Sequence, residues 1–319
     1  MIIRLGYVAI ALNLPKVTSS STVTYTNYQK LASDEQKLNK LKQVTLSNFD
    51  DLSKILSYNI EHYIHFYRIT SALVPLATHP EVINWDYRTI FKKDYEYLSK
   101  LIKESNMRVD THPDQFNVLN STRKEVVESS LRNLWSHVHL FEDLEYPNGK
   151  MVLHIGSAQG GKEESINRFI ENFKVIPQEI SKRLILENDD KTFTTKEVLH
   201  ICKETDAPMV LDVHHHNCNN NGESLENFIE DIFSTWNSQE LPPKIHFSSP
   251  KDNEKDRKHA DYIVAQDFIT FLELCKPLNI DFDIMLEAKM KDKALFQLVK
   301  DIKILRPKWN WIDNTTLQF

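Results

Sequence analysis

Short runs of apolar and β-branched residues recur along the chain, separated by longer stretches in which apolar positions repeat every three or four residues. The short runs predict strands at residues 3–8, 63–69, 107–110, 150–155, 183–187, 208–213, 244–247 and 282–287. The longer stretches predict helices at 47–58, 87–105, 123–141, 164–181, 195–204, 224–235, 262–275 and 292–304. Strand and helix in alternation indicate parallel βαβ units. Eight such units in 319 residues favour an α/β fold of the closed (β/α)8 or TIM-barrel type over an open sheet. Residues 15–42, rich in Ser, Thr, Asn and Lys, read as a long excursion after the first strand, on the face where a barrel builds function. No internal repeat, low-complexity tract or boundary interrupts the pattern, so 1–319 reads as a single domain.

Where the runs end, the chemistry changes. The third passes through Val109-Asp110-Thr111 into His112, the fourth ends at His154 and the fifth at Glu187. The sixth ends at Asp212 with His214 and His215 just beyond, the seventh contains His246, and the eighth ends at Glu287. Six consecutive strands thus deliver a His, Asp or Glu to one rim. Such groups are costly in an apolar interior unless they are paired or bind a cation. A single rim histidine is more often hydrogen-bonded than ligated, but six strands ending alike point to metal. Imidazole with carboxylate is the ligand set of zinc, manganese or iron rather than calcium. Asp212 and His215 lie one turn apart, and His215 is preferred to His214 and His216. His259, after the charged loop 250–258, is a further candidate, and Glu187, Asp212 and Glu287 have the charge to bridge two ions. These eight ligands suffice for two or three metals. A rim of this kind suits phosphodiester hydrolysis, although metal-bearing barrels also isomerise sugars.

Composition narrows the class. A net charge of -6 and a pI near 6.1 provide no overall attraction to nucleic acid. Phosphate binding follows local patches rather than the total, and Lys16, Lys251, Lys255, Arg257 and Lys258 form clusters that could hold phosphates, although a solvated charged loop is the commoner reading of any one of them. Three cysteines, Cys202, Cys218 and Cys275, without CxxC spacing argue against a disulfide framework and for a reducing, cytoplasmic compartment. The N-terminus has no charged leader ahead of an apolar run, and no stretch approaches the ~20 residues that cross a bilayer. A soluble monomer with no membrane partner is expected. Gly156 to Lys162 match the GxxxxGK spacing of a phosphate loop, but Glu163 stands where Ser or Thr must hold magnesium, so no nucleotide cofactor is expected.

With their neighbours, these residues resemble the UV damage endonuclease family, itself similar in fold to the endonuclease IV apurinic enzymes. The resemblance is carried by Arg4-Leu5-Gly6-Tyr7, by Phe66-Tyr67-Arg68 with Pro75 and His79, and by Thr111-His112-Pro113-Asp114-Gln115-Phe116. It continues through Leu153-His154-Ile155-Gly156, Leu186-Glu187-Asn188-Asp189 and Leu211-Asp212-Val213-His214-His215. Lys244-Ile245-His246-Phe247-Ser248-Ser249, His259-Ala260-Asp261-Tyr262 and Met285-Leu286-Glu287-Ala288-Lys289 complete it, so it spans nearly the whole chain.

The resemblance implies a site of three divalent ions, usually Mn2+, that hydrolyses DNA 5′ to ultraviolet photoproducts (cyclobutane dimers and 6-4 photoproducts) and starts excision repair. The partner is double-stranded DNA carrying such lesions. Carried over, the metal ligands are His112, His154, Glu187, Asp212, His215, His246, His259 and Glu287, with Lys244, His246 and Glu187 in catalysis. Lys244 matches a lysine that can be carboxylated; from the residues alone it reads as a phosphate-binding or transition-state cation. Gln115 and Phe116 match a pair that wedges into the duplex. Tyrosine is more usual where Phe116 stands; the change keeps stacking and loses a hydroxyl hydrogen bond. Tyr7, Asn13 and His79 match residues that line the lesion pocket. Extruding a fused dinucleotide costs a few kcal/mol, and damage that weakens stacking lowers the cost, so selection needs little base reading. The alternatives are an apurinic-site endonuclease, a sugar isomerase and a non-catalytic binding module. The wedge pair weighs against the isomerase, and ligands on six strands weigh against the binding module.

Overall fold

A computed structural model describes residues 1–319. The parallel strands β1 (Ile2–Val8), β2 (Phe66–Ile69), β3 (Arg108–Thr111), β4 (Lys150–His154), β5 (Leu184–Glu187), β6 (Met209–Asp212), β7 (Lys244–Phe247) and β8 (Phe282–Leu286) neighbour one another in chain order. β1 pairs with both β8 and β2, which closes the expected (β/α)8 barrel. Gly6 permits the closure: a Cβ there would lie 2.3 Å from the carbonyl oxygen of Phe66 on β2. Two short C-terminal strands, β9 (Asn310–Trp311) and β10 (Thr316–Gln318), were not foreseen in the pattern. β10 lies antiparallel to Ile2–Arg4, whereas only Tyr7 and Val8 of β1 pair with β2, so the C-terminus covers an edge that β2 leaves open. No helix is long and apolar enough to cross a membrane.

Several helical stretches differ from the expectation for local reasons. The excursion at 15–42 is loop only in part. Ser33 caps a helix at Asp34–Glu61, its hydroxyl accepting from the Gln36 amide. That helix ends at His62, and Tyr63 turns left-handed with φ 60, so β2 begins at Phe66 rather than 63. The stretch 87–105 divides into Tyr87–Ile90 and Lys92–Glu104, and 224–235 into a 3-10 turn and Ile229–Ser234. Pro177 separates Lys162–Val175 from Gln178–Ser181. The last residue read as strand in 208–213, Val213, instead opens a short helix, Val213–Cys218.

Side-chain alternation along the strands divides the interior in two. Leu5, Tyr7, Tyr67, Val109, Leu153, Leu186, Leu211, Ile245 and Ile284 point outward and form one apolar core with the helices. The alternate positions face the barrel axis. On one side Val152, Ile185 and Val210 pack with Trp236. On the other are Arg68, Arg108, Asp110, Lys244 and Asp283, all buried. Asp283 lies 2.7 Å from Arg108 and 2.6 Å from Arg4, while Lys244 pairs with Asp110. Half of the barrel interior is therefore ionic, and the ligand rim stands on top of it.

Candidate metal centre

His112, His154, Glu187, Asp212, His246 and Glu287 each stand two positions beyond an inward-facing residue: Asp110, Val152, Ile185, Val210, Lys244 and Met285 respectively. Alternation therefore aims all six at the axis. Glu187, 1% exposed, is the centre. Its Oε2 lies 3.1 Å from His112 Nε2 and 3.3 Å from His154 Nε2. Its Oε1 lies 2.6 Å from His246 Nδ1 and 3.8 Å from His215 Nδ1. Burial alone would raise this carboxyl, but His246, His154 and His112 hold it well below the usual carboxylate range. Burial pushes Asp212 up to about 6 and His246 down to about 4. His215 is raised to about 9 against its burial, by Asp212 and Glu187.

The donor set fits divalent cations. Three groups, His112–His154–Glu187, Glu187–Asp212–His215 and Glu187–His246–Glu287, each bring their ligand atoms within 4.8 Å of one another. Glu187 belongs to all three, as a bridging carboxylate must. Backbone carbonyls of Pro113, Asn188 and Glu287 accept from Nδ1 of His112 (3.0 Å), His215 (2.9 Å) and His259 (2.8 Å). In the neutral ring this leaves the lone pair on Nε2, the usual second-shell arrangement of a ligating histidine. Asp212 Oδ2 is buried without a hydrogen-bond partner, which a cation would satisfy. His259 lies outside the three groups, its ring 6.2 Å from that of His215. The preference for His215 over its neighbours has a structural cause. His214 Nε2 turns to Cys218 Sγ at 3.9 Å, and His216 bonds Thr195 Oγ1 at 2.8 Å.

Three residues of the site had no role from sequence. Arg68 contacts His246 and Glu287, at 2.6 and 2.7 Å. Asp110 lies below them and pairs with Lys244. Asn188 pins Asp212 through both its backbone groups, at 2.9 and 3.0 Å. Signals were present: Arg68 and Asn188 lie inside segments that carry the family resemblance, and Asp110 precedes His112 by two, the strand period. Lys244 itself is fully buried beneath the ligand layer, so it presents no cation to a phosphate at the rim. In the GxxxxGK segment, Lys162 pairs with Glu197 at 2.9 Å.

A family model described as UV-endonuclease UvdE matches residues 3–319. The chain belongs to the UvdE family. Two relatives, each named UV DNA damage endonuclease, come from Bacillus cereus (strain 03BB102) and Bacillus thuringiensis subsp. konkukian (strain 97-27). Both are 40% identical over 320 residues and are matched over 100% of each chain. The crystal structure of SacUVDE is similar at a TM-score of 0.84 and 37% identity, covering 95% of this chain and 99% of that one. Endonuclease IV from Thermus thermophilus shares the fold alone, at 14% identity and a TM-score of 0.52 over 89% of this chain and 91% of that one. The same holds for the E. coli 3-keto-D-glucoside 4-epimerase YcjR, at 12% identity and 0.54 over 90% and 92%. Neither the apurinic-site nor the sugar-isomerase alternative is favoured.

The residues that the UvdE resemblance assigns to the lesion fall in different places. Gln115 is exposed and lines a rim cleft of about 520 Å³ with His154, His215, Arg257 and His259. Phe116, next in the chain, is 79% exposed. His79 is half-buried and stacks on Tyr25, ring centroids 3.8 Å apart. Its loop is tied to the Gln115 loop by Ser71 Oγ, which donates to Asp114 at 3.1 Å. Tyr7 does not line a pocket. It is wholly buried on the outward face of β1, where its hydroxyl donates to Asn59 at 2.8 Å. Arg4 and Gly6 take the inward positions, so alternation excludes Tyr7 from the axis. Asn13 lines a separate cleft with Tyr58, His62 and Lys300, and its amide donates to the Tyr58 hydroxyl at 3.0 Å. Arg257 is neutralised by Asp190, whereas Lys251, Lys255 and Lys258 are exposed.

Proposed function

We propose that this UvdE-family chain is a metal-dependent repair endonuclease that hydrolyses the phosphodiester bond 5′ to ultraviolet photoproducts in duplex DNA. One juxtaposition carries the reading: His154, which with His112 and His246 rings the buried carboxylate of Glu187, lines the same rim cleft as Gln115, and Phe116 next in the chain is exposed. His112, His154, Glu187, Asp212, His215, His246, His259 and Glu287 would hold three ions, manganese by the family resemblance. Bound there, such ions lower the pKa of an attacking water and stabilise the leaving oxygen.

The remaining steps belong to the chain's own residues. Phe116 enters the stack and Gln115 fills the gap, offsetting the few kcal/mol lost on extruding the lesion. Lys251, Lys255 and Lys258 hold phosphates by charge alone, which makes binding salt-dependent. Carboxylation of Lys244 needs the neutral amine. Burial favours that form by pushing the ammonium down to about 8, but the adduct would set a second anion against Asp110. Incubation with Mn2+ and a labelled duplex carrying one cyclobutane dimer should give a single nick 5′ to the dimer, abolished by EDTA. Nicking that persists in EDTA, or that occurs only at apurinic sites, would overturn the reading.

A further inference from the structure

β2 supplies no ligand to the rim; it sends a guanidinium instead. Arg68 is buried, with one terminal nitrogen 2.6 Å from His246 Nε2, the other 2.7 Å from Glu287 Oε1, and Nε 3.8 Å from Asp110 Oδ1. A guanidinium only donates. His246 must therefore accept at Nε2 and carry its proton on Nδ1, the nitrogen that faces Glu187 Oε1 at 2.6 Å and Glu287 Oε1 at 3.3 Å. A histidine poised to ligate shows the reverse, its lone pair toward the ion and its N–H on an acceptor, as His112, His215 and His259 do here.

We infer that Arg68 is a placeholder cation for the ion position between Glu187, His246 and Glu287: it holds the metal-free site together and must release His246 before an ion binds there. The inference rests on the metal-dependent reading above. Asp110, Glu187, Asp212 and Glu287 gather around Arg68, Lys244 and the raised imidazole of His215, so the four carboxylates are still short of positive charge. Arg68 supplies that charge where the ion would. On loading, the His246 proton passes from Nδ1 to Nε2 with no net release. Two donors would then face each other, so the guanidinium leaves His246. Asp110, already adjacent to Nε, is the carboxylate placed to keep it.

The test is calorimetric titration of Mn2+ into the EDTA-stripped parent and Arg68→Met, with melting temperatures of the stripped and loaded forms. Stripped Arg68→Met should melt several degrees below the stripped parent, and the loaded forms should melt close together. One manganese equivalent should bind about tenfold more tightly, or better, in the variant. Arg68→Lys keeps the charge without the fork, so it should fall between the two, and it serves if Arg68→Met does not fold without metal. Affinities that are unchanged or weaker in both variants would overturn the placeholder while leaving the metal site intact. A parent that takes up no manganese would remove the site and the placeholder together.

Discussion

The ammonium of Lys244 is held against the carboxylate of Asp110, and neither side chain has any exposure to solvent. Removing Lys244 leaves the buried Asp110 with only the more distant Arg68 guanidinium, at 3.8 Å. Lys244→Met should therefore cost about 3–5 kcal/mol, read by urea unfolding of the metal-free chain. Adding Asp110→Leu removes both charges and should restore most of that loss. A single variant as stable as the parent would mean that the pair is not ionised. Lys244→Arg keeps the cation but cannot be carboxylated; full incision by it would remove carboxylation from the mechanism.

Glu187 is common to all three ligand groups. Glu187→Gln keeps the shape and removes the charge that would hold the ions of the proposed site. Metal content measured after gel filtration should fall, and incision should drop by several orders of magnitude, with the circular dichroism of the parent. Near-normal manganese-dependent nicking by this variant would show that the ions lie elsewhere.

Phe116 is exposed, so Phe116→Ala should leave both melting temperature and metal content unchanged. It removes a stacking surface of roughly 1–3 kcal/mol per base. Binding to damaged duplex, measured by anisotropy, should weaken about tenfold or more, and the loss should shrink for a lesion opposite a mismatch. His112→Ala should behave in the opposite way, binding damaged DNA with metal present but hardly cutting it. Parent-like lesion binding by Phe116→Ala would reduce the aromatic to loop packing.

His137, on the helix Lys124–Asp143, is fully buried, and burial pushes its imidazole from 6.5 down to about 4, with His112 adding to the shift. The unfolded chain takes up this proton near pH 6.5 while the folded chain does not. The stability contributed by the neutral ring is therefore complete above pH 6.5 and is lost as pH falls, by about 3 kcal/mol at pH 4. In metal-free unfolding, His137→Gln should show a shallower loss of stability across that window. Parallel curves for variant and parent would mean that His137 is protonated in the folded state.

The sequence carries the alternation of strand and helix, and with it the barrel, because the period of the apolar positions is a local property. It also determined the rim. A His, Asp or Glu that ends an apolar run is conspicuous in isolation, and His112, His154, Glu187, Asp212, His246 and Glu287 all lie where that signal put them. The interior below was not legible. Barrel strands are buried on both faces, so inward Asp110 and outward Val109 occur in one short run with nothing to separate them. That β1 turns Tyr7 outward and that Asn13 falls in another cleft follows from the closed barrel and has no local signature. Register and closure also chose the partners of the buried charges. Arg68 lies opposite Asp110 because β2 and β3 pair at that register, while Lys244 reaches Asp110 across the axis from β7. Such pairs join residues far apart in the chain, and a charge buried at one position can be satisfied only by whatever the closed barrel brings opposite it.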